Sequence, residues 1–268
     1  MEGLPGGVIV ATRVAGMSCV DTRAAKRFYG AVDPLEVVFR HLDQWRHLPN
    51  YQLERRADIF FSVYLKAVVE EFTDVALADE ILPELPLKRD LIWPELPTNK
   101  SVKVDYALFA KDRSRVFFVE LKTDGASRRN AQDDYLEVAR RLGFRRIVEG
   151  VRAIILSTTA HQKYHHLATS LARLGYLDLP PDLASHLYPS PKSGALAQLE
   201  RIAVAPHDPA IEVIYVQPED TNGDRCIDFA RFAEHVRRRG DPFSIRFADH
   251  LLAWRALAGA REPGPPLG

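Results

Sequence analysis

Asp105 and the triplet Glu120-Leu121-Lys122 carry the residue types that phosphate hydrolysis uses: two carboxylates, which are hard oxygen ligands, and an amine two residues past the second. They flank the polar stretch Lys111-Asp112-Arg113-Ser114, and Val102 to Phe109 and Arg115 to Lys122 read as the strands of a hairpin around it. With the turn centred between Asp112 and Arg113, Asp105 falls opposite Glu120 and Lys103 opposite Lys122. Alternation then gathers Val102, Val104, Tyr106 and Leu108 with Phe117, Val119 and Leu121 on one apolar face. The other face holds Ala107, Phe109 and Phe118 near the turn and all four charges at the far end. Opposed carboxylates destabilise a sheet unless a cation lies between them, and the candidates are Lys122, Lys103 or a divalent metal. Magnesium or manganese suits such oxygens, takes one or two carboxylates plus phosphate oxygens and water, and acidifies a bound water for attack on phosphorus. Lys122 points to the same side and could orient that water or neutralise developing charge. The plain alternative is a solvated face with cross-strand salt bridges.

The elements that must position these residues follow from periodicity and capping. Asp33-Pro34 starts a helix, with Leu35, Val38, Phe39 and Leu42 at helical spacing to about His47. Asn50 to Val75 forms the longest helix, and prolines at 83, 86, 94 and 97 leave room only for a short strand around Leu87 to Trp93. Past the hairpin, Arg128 to Leu142 is a helix, Val151 to Leu156 a buried strand and His161 to Leu174 a helix. After a Pro- and Ser-rich loop, Ile211 to Val216 is a strand, and Phe229 to Arg238 and Phe243 to Leu257 are helices.

This order of elements, with Val104-Asp105-Tyr106 in one strand and Val119-Glu120-Leu121-Lys122 in the next, resembles the PD-(D/E)XK nuclease superfamily and its αβββαβ core. The resemblance spans about residues 50 to 157; Val104 stands where the family name has proline. It implies an α/β, restriction-endonuclease-like core with a mixed central sheet and a C-terminal α/β extension, and metal-dependent hydrolysis of phosphodiester bonds, usually in DNA. Asp105 and Glu120 would bind Mg2+ or Mn2+, and Lys122 would assist the nucleophile. Relatives often add an acid from the preceding helix. On a helical wheel Glu71 falls within the stripe of Phe60, Tyr64, Ala67, Val68 and Val75 while Glu70 falls outside it, so Glu71 is the expected third metal-site acid. Exonuclease-like branches place Gln and Tyr on the following helix with three residues between them; here Gln132 and Tyr135 have only Asp133 and Asp134 between them. Gln132 is expected to contact substrate or the ligand shell. Arg128 and Arg129, with Arg140, Arg141, Arg145 and Arg146, make a local basic patch, and Arg128, Arg129, Lys103 and Tyr135 are the expected nucleic-acid contacts. Interleaved Asp133, Asp134 and Glu137 offer the competing reading of intrahelical pairing.

Across the 268 residues, 36 Lys plus Arg balance 36 Asp plus Glu, so any nucleic-acid surface must be local. No run of apolar residues is long enough to span a bilayer, and two distant cysteines, Cys19 and Cys226, suit a reducing compartment, so the protein is expected in the cytoplasm. The organisation expected is an N-terminal arm over 1–30, a nuclease core over 31–176, an extension over 177–260 and a tail over 261–268. DNA is the expected partner, with RNA, a homodimer or an accessory protein also compatible, and no membrane. The rival reading is a non-catalytic nucleic-acid- or protein-binding module on the same scaffold.

Overall fold

A computed structural model describes residues 33–45, 52–95, 101–123, 130–158, 161–181, 183, 199–220 and 225–259. Helix α1 (Pro34–Trp45) starts as its sequence dictates, with Asp33 Oδ1 accepting the Leu35 N–H at 3.0 Å. Helix α2 (Leu53–Thr73) ends where Asp74 turns left-handed and its N–H reaches the Glu70 carbonyl. Strand β1 (Leu77–Lys88) then runs antiparallel to β2 (Ser101–Ala110), which pairs antiparallel with β3 (Arg115–Leu121). Between β1 and β2, Arg89–Ile92 makes one helical turn, α3.

Strand β1 lies earlier and is much longer than the short strand expected near residues 87–93. Pro83 and Pro86 are tolerated because β1 is the outermost strand, where a missing ladder donor costs nothing. The hairpin register is as read from the sequence, with Tyr106 opposite Val119, Ala107 opposite Phe118 and Phe109 opposite Val116.

Helices α4 (Asn130–Leu142), α5 (Phe144–Ser157) and α6 (His161–Arg173) follow. Val151 to Leu156, expected as a strand, is instead part of α5, whose Ile147, Val148, Val151, Ile154 and Ile155 are buried. Strands β4 (Leu177–Asp178) and β5 (Ala203–Val204) form a small separate sheet. The strand that lies parallel to β3 is β6 (Ala210–Gln217), followed by β7 (Cys226–Asp228), parallel to β6. Helices α7 (Phe229–Arg237), capped by Asp228 Oδ1 on the Arg231 N–H, and α8 (Pro242–Gly259) complete the described chain.

The result is an α/β protein with a five-stranded mixed sheet in the order β1-β2-β3-β6-β7. Segments beyond residue 177, expected as an extension, thus supply two strands of this sheet. One face carries Phe109, Phe118, Phe144, Ile147, Val151, Leu171 and Tyr176, from the sheet, α5, α6 and the turn after α6. The other carries Phe39, Phe61, Tyr64, Phe117, Phe232, Phe247 and Trp254, so α1, α2, α7 and α8 cover it with an aromatic layer. Burying large rings on both faces makes β3 the spine of the molecule, with Val116 through Val119 all at 0% exposure. Among the described residues no helix is long and apolar enough to cross a membrane.

Candidate active site

The β2–β3 ladder, regular from Phe109/Val116 to Tyr106/Val119, stops one pair short of the charged residues. Beyond it Asp105 Oδ2 accepts the Leu121 backbone N–H at 2.8 Å, so a side chain replaces the ladder and fixes the first carboxylate against β3. On the opposite edge of β3 the regular parallel ladder continues, Lys122 N–H donating to the Val216 carbonyl of β6 at 2.8 Å. Strands β2 and β3 therefore part at this end, and the opening is where Asp105 and Glu120 approach each other.

Glu120 is fully buried and Lys122 is 4% exposed. Gln132 Nε2 of α4 donates to Glu120 Oε2, Tyr135 Oη lies 3.4 Å from Glu120 Oε1, and Lys122 Nζ lies 3.4 Å from Oε2. Burial, reinforced by the neighbouring charge of Asp105, pushes the Glu120 carboxyl up to about 9, against the opposing pull of Lys122. Burial beside a second carboxylate disfavours the charged form of Glu120, and a cation at this spot would offset it.

The structure brings Gln132, expected to contact substrate or the ligand shell, onto Glu120. Tyr135 does not sit on a nucleic-acid surface: it is 9% exposed, and its hydroxyl donates to the Lys103 carbonyl at 3.1 Å as well as facing Glu120. Lys103 itself is half-exposed and ion-paired with Glu84 of β1, not opposed to Lys122. Arg128 and Arg129 lie outside the described residues. Of the other arginines in that patch, Arg140 and Arg141 pair with Glu137, and Arg145 and Arg146 pair with Glu149, as intrahelical pairing would have it.

Glu71 is corrected outright. It is exposed, accepts from His235 at 2.6 Å and from Arg238, and these two, His235 first, hold its carboxyl below the usual range. Helix α2 meets β1 through the short link Asp74–Ala76, and Leu77 pairs with Ala110 at the turn end of the hairpin. The C-terminal end of α2 therefore belongs at the wrong end of the sheet. Its N-terminal end, about 26 Å away by helical rise, is the one beside Asp105. Glu54 stands there, with Oε1 4.0 Å from Lys122 Nζ, and shares a cleft of about 330 Å³ with Arg55, Asp58, Glu84, Lys103 and Asp105. The wheel gave an azimuth and no height along the axis; the short link to β1 is the signal that could have found Glu54.

The donor set fits a hard divalent cation. Asp105 and Glu120 offer two carboxylates at a charge-deficient spot, and one or two protein carboxylates is the number magnesium commonly takes. Among the described residues no group of three or more His, Cys, Asp or Glu stands close enough to hold a metal. The chain matches no family model, no curated protein and no solved structure.

Proposed function

We propose that the protein is a divalent-metal-dependent nuclease of the PD-(D/E)XK type, cleaving phosphodiester bonds in DNA. The observation that carries this reading is the parted end of β2 and β3, where Asp105, Glu120 and Lys122 converge with Gln132, Tyr135 and Glu54 around them. Asp105 and Glu120 would hold Mg2+ or Mn2+, which supplies polarisation of a water and of the scissile phosphate. The chain's own residues do the rest. Leu121 N–H pins the Asp105 carboxylate, Gln132 and Tyr135 fix the orientation of Glu120, and Lys122 Nζ places positive charge where the phosphorane-like transition state gathers negative charge. Glu54 Oε1 faces Lys122 from the cleft side and is placed to orient that ammonium.

One observation favours the rival, a binding module without catalysis. The arginines of α4 and α5 named above are committed to Glu137 and Glu149, which leaves less free positive charge beside the site than the sequence suggested. A cleavage assay with Mg2+ or Mn2+ on linear, circular and single-stranded DNA, with RNA as comparison, separates the two. Metal-dependent cleavage that vanishes in Asp105→Asn supports the nuclease. Binding without cleavage in every metal supports the module.

A further inference from the structure

Glu84 is one of three described non-glycine residues with positive φ, at 55°, and of the three it alone lies inside a strand. Opposite it, in constant register from Leu82/Ala107 to Leu85/Val104, stands Asp105; the pair Glu84/Asp105 itself is missing from the ladder. On the turn side of this point Leu82, Ala107 and Phe109 belong to the core face covered by α5. On the far side Leu85, Leu87 and Val104 belong to that same face, three residues on from Leu82 and three back from Ala107. An alternating strand cannot do this. Both strands therefore exchange faces together at Glu84/Asp105, and the register survives because neither gains a residue on the other. The expectation that Val102, Val104, Tyr106 and Leu108 share one face fails for this reason: Val104 lies on one face, Tyr106 and Leu108 on the other.

The exchange has a consequence at Asp105. In a regular strand its side chain would stand on the face of Ala107 and Phe109, perpendicular to the sheet. Rolled by the half-pleat, it lies in the plane of the sheet, where Oδ2 takes the Leu121 N–H and the carboxylate meets Glu120. We infer that Glu84 is a positioning residue whose left-handed backbone rolls β2 at Asp105 and aims that carboxylate at Glu120. The inference rests on the nuclease reading for its purpose, but its geometry does not. The position demands the conformation rather than the carboxylate, since the Glu84 side chain only lines the cleft and pairs with exposed Lys103. Strain kept in this way is characteristic of sites that need one side chain in an unusual direction.

The test uses the full chain in four forms: wild type, Glu84→Gly, Glu84→Gln and Glu84→Val. Glycine adopts positive φ freely, glutamine keeps the side-chain shape without charge, and β-branched valine resists positive φ. The first readout is exchange of the Leu121 amide, which needs neither metal nor substrate. Glycine and glutamine should leave its protection within about threefold of wild type, and valine should speed it by about tenfold or more, the size of a lost charge-assisted hydrogen bond. The second is Mn2+ affinity by calorimetry, with the same ranking. Glu84→Gly should also melt higher than wild type, so the inference remains open to refutation even if the valine variant fails to fold. Loss of Leu121 protection in Glu84→Gly, or its retention in a folded Glu84→Val, overturns the inference. Wild-type protein that binds no Mn2+ overturns the nuclease reading, and the two failures are thereby distinguishable.

Discussion

Replacing Glu120 by glutamine should stabilise the protein while abolishing its proposed activity, and the size of the effect follows from the buried carboxyl. In the unfolded chain a glutamate titrates near 4.3, whereas in the fold burial and Asp105 push Glu120 up to about 9. Between those values the native state holds one proton that the unfolded state has released, so stability falls as pH rises, by about 1.4 kcal/mol per unit. The contribution is absent below about pH 4, grows through neutrality and levels off above about pH 9. At pH 7 the penalty is at most about 4 kcal/mol, an upper bound because the unfolded reference and local relaxation both reduce it. Glutamine is uncharged at every pH, and its amide oxygen can still accept from Gln132 Nε2 while its NH2 donates to Asp105. The variant should therefore melt higher by roughly 5–10 °C at pH 7, and the gap should widen toward pH 9 and close toward pH 4. Urea unfolding of both proteins between pH 5 and 9, without divalent metal, measures it. Parallel pH profiles would refute the argument and mean that Glu120 is ionised in the fold and already compensated by Lys122. With Mg2+ present the preference should reverse, because metal binding requires the carboxylate and stabilises only the wild type.

Asp105→Asn and Lys122→Met should each lower metal-dependent cleavage by several orders of magnitude with native circular dichroism, read in a gel assay on linear and circular DNA. Glu54→Gln should weaken Mn2+ binding or cleavage measurably, whereas Glu71→Gln should leave both alone and change stability by less than about 1 kcal/mol, since it removes only an exposed cluster with His235 and Arg238. Arg128→Ala with Arg129→Ala should flatten the salt dependence of DNA binding, measured in Ca2+ by fluorescence anisotropy, by about one unit in log–log slope per lost phosphate contact. An unchanged slope would move the search for the phosphate surface elsewhere.

The hairpin register was legible because its signals were local, a polar turn and a register set by the turn centre, and all four observed pairs obey it, whereas the alternation read across Asp105 did not hold. The pleat exchange at Glu84 was not, because nothing in a glutamate advertises positive φ. Val151 to Leu156 was misread because a short run of Val, Ala, Ile and Leu is the same string in a buried helix as in a buried strand. Its role beside β3 falls to β6, a strand recognised correctly but assigned to a different part of the molecule. Glu71 failed on position along a helix 21 residues long, and on azimuth too, since Ala67 of the assumed inward stripe is exposed. Gln132, singled out from the family resemblance, lies against Glu120.

The parallel pairing of β3 with β6 joins Arg115–Leu121 to Ala210–Val216, and among the described residues α4, α5, α6 and the small β4–β5 sheet come between them in the chain. Contacts so distant in sequence close late, because the entropy of the long loop is lost before any ladder bond repays it. A chain emerging from the ribosome therefore forms β1, β2 and β3 while the partner that receives the Lys122 N–H is still unmade. Until residue 217 has left the exit tunnel, β3 is an exposed apolar edge, a site for chaperones and for wrong pairing. The same delay keeps Glu120 and Lys122 from their final burial during synthesis, so the cluster they form with Asp105 should assemble only with the last third of the chain.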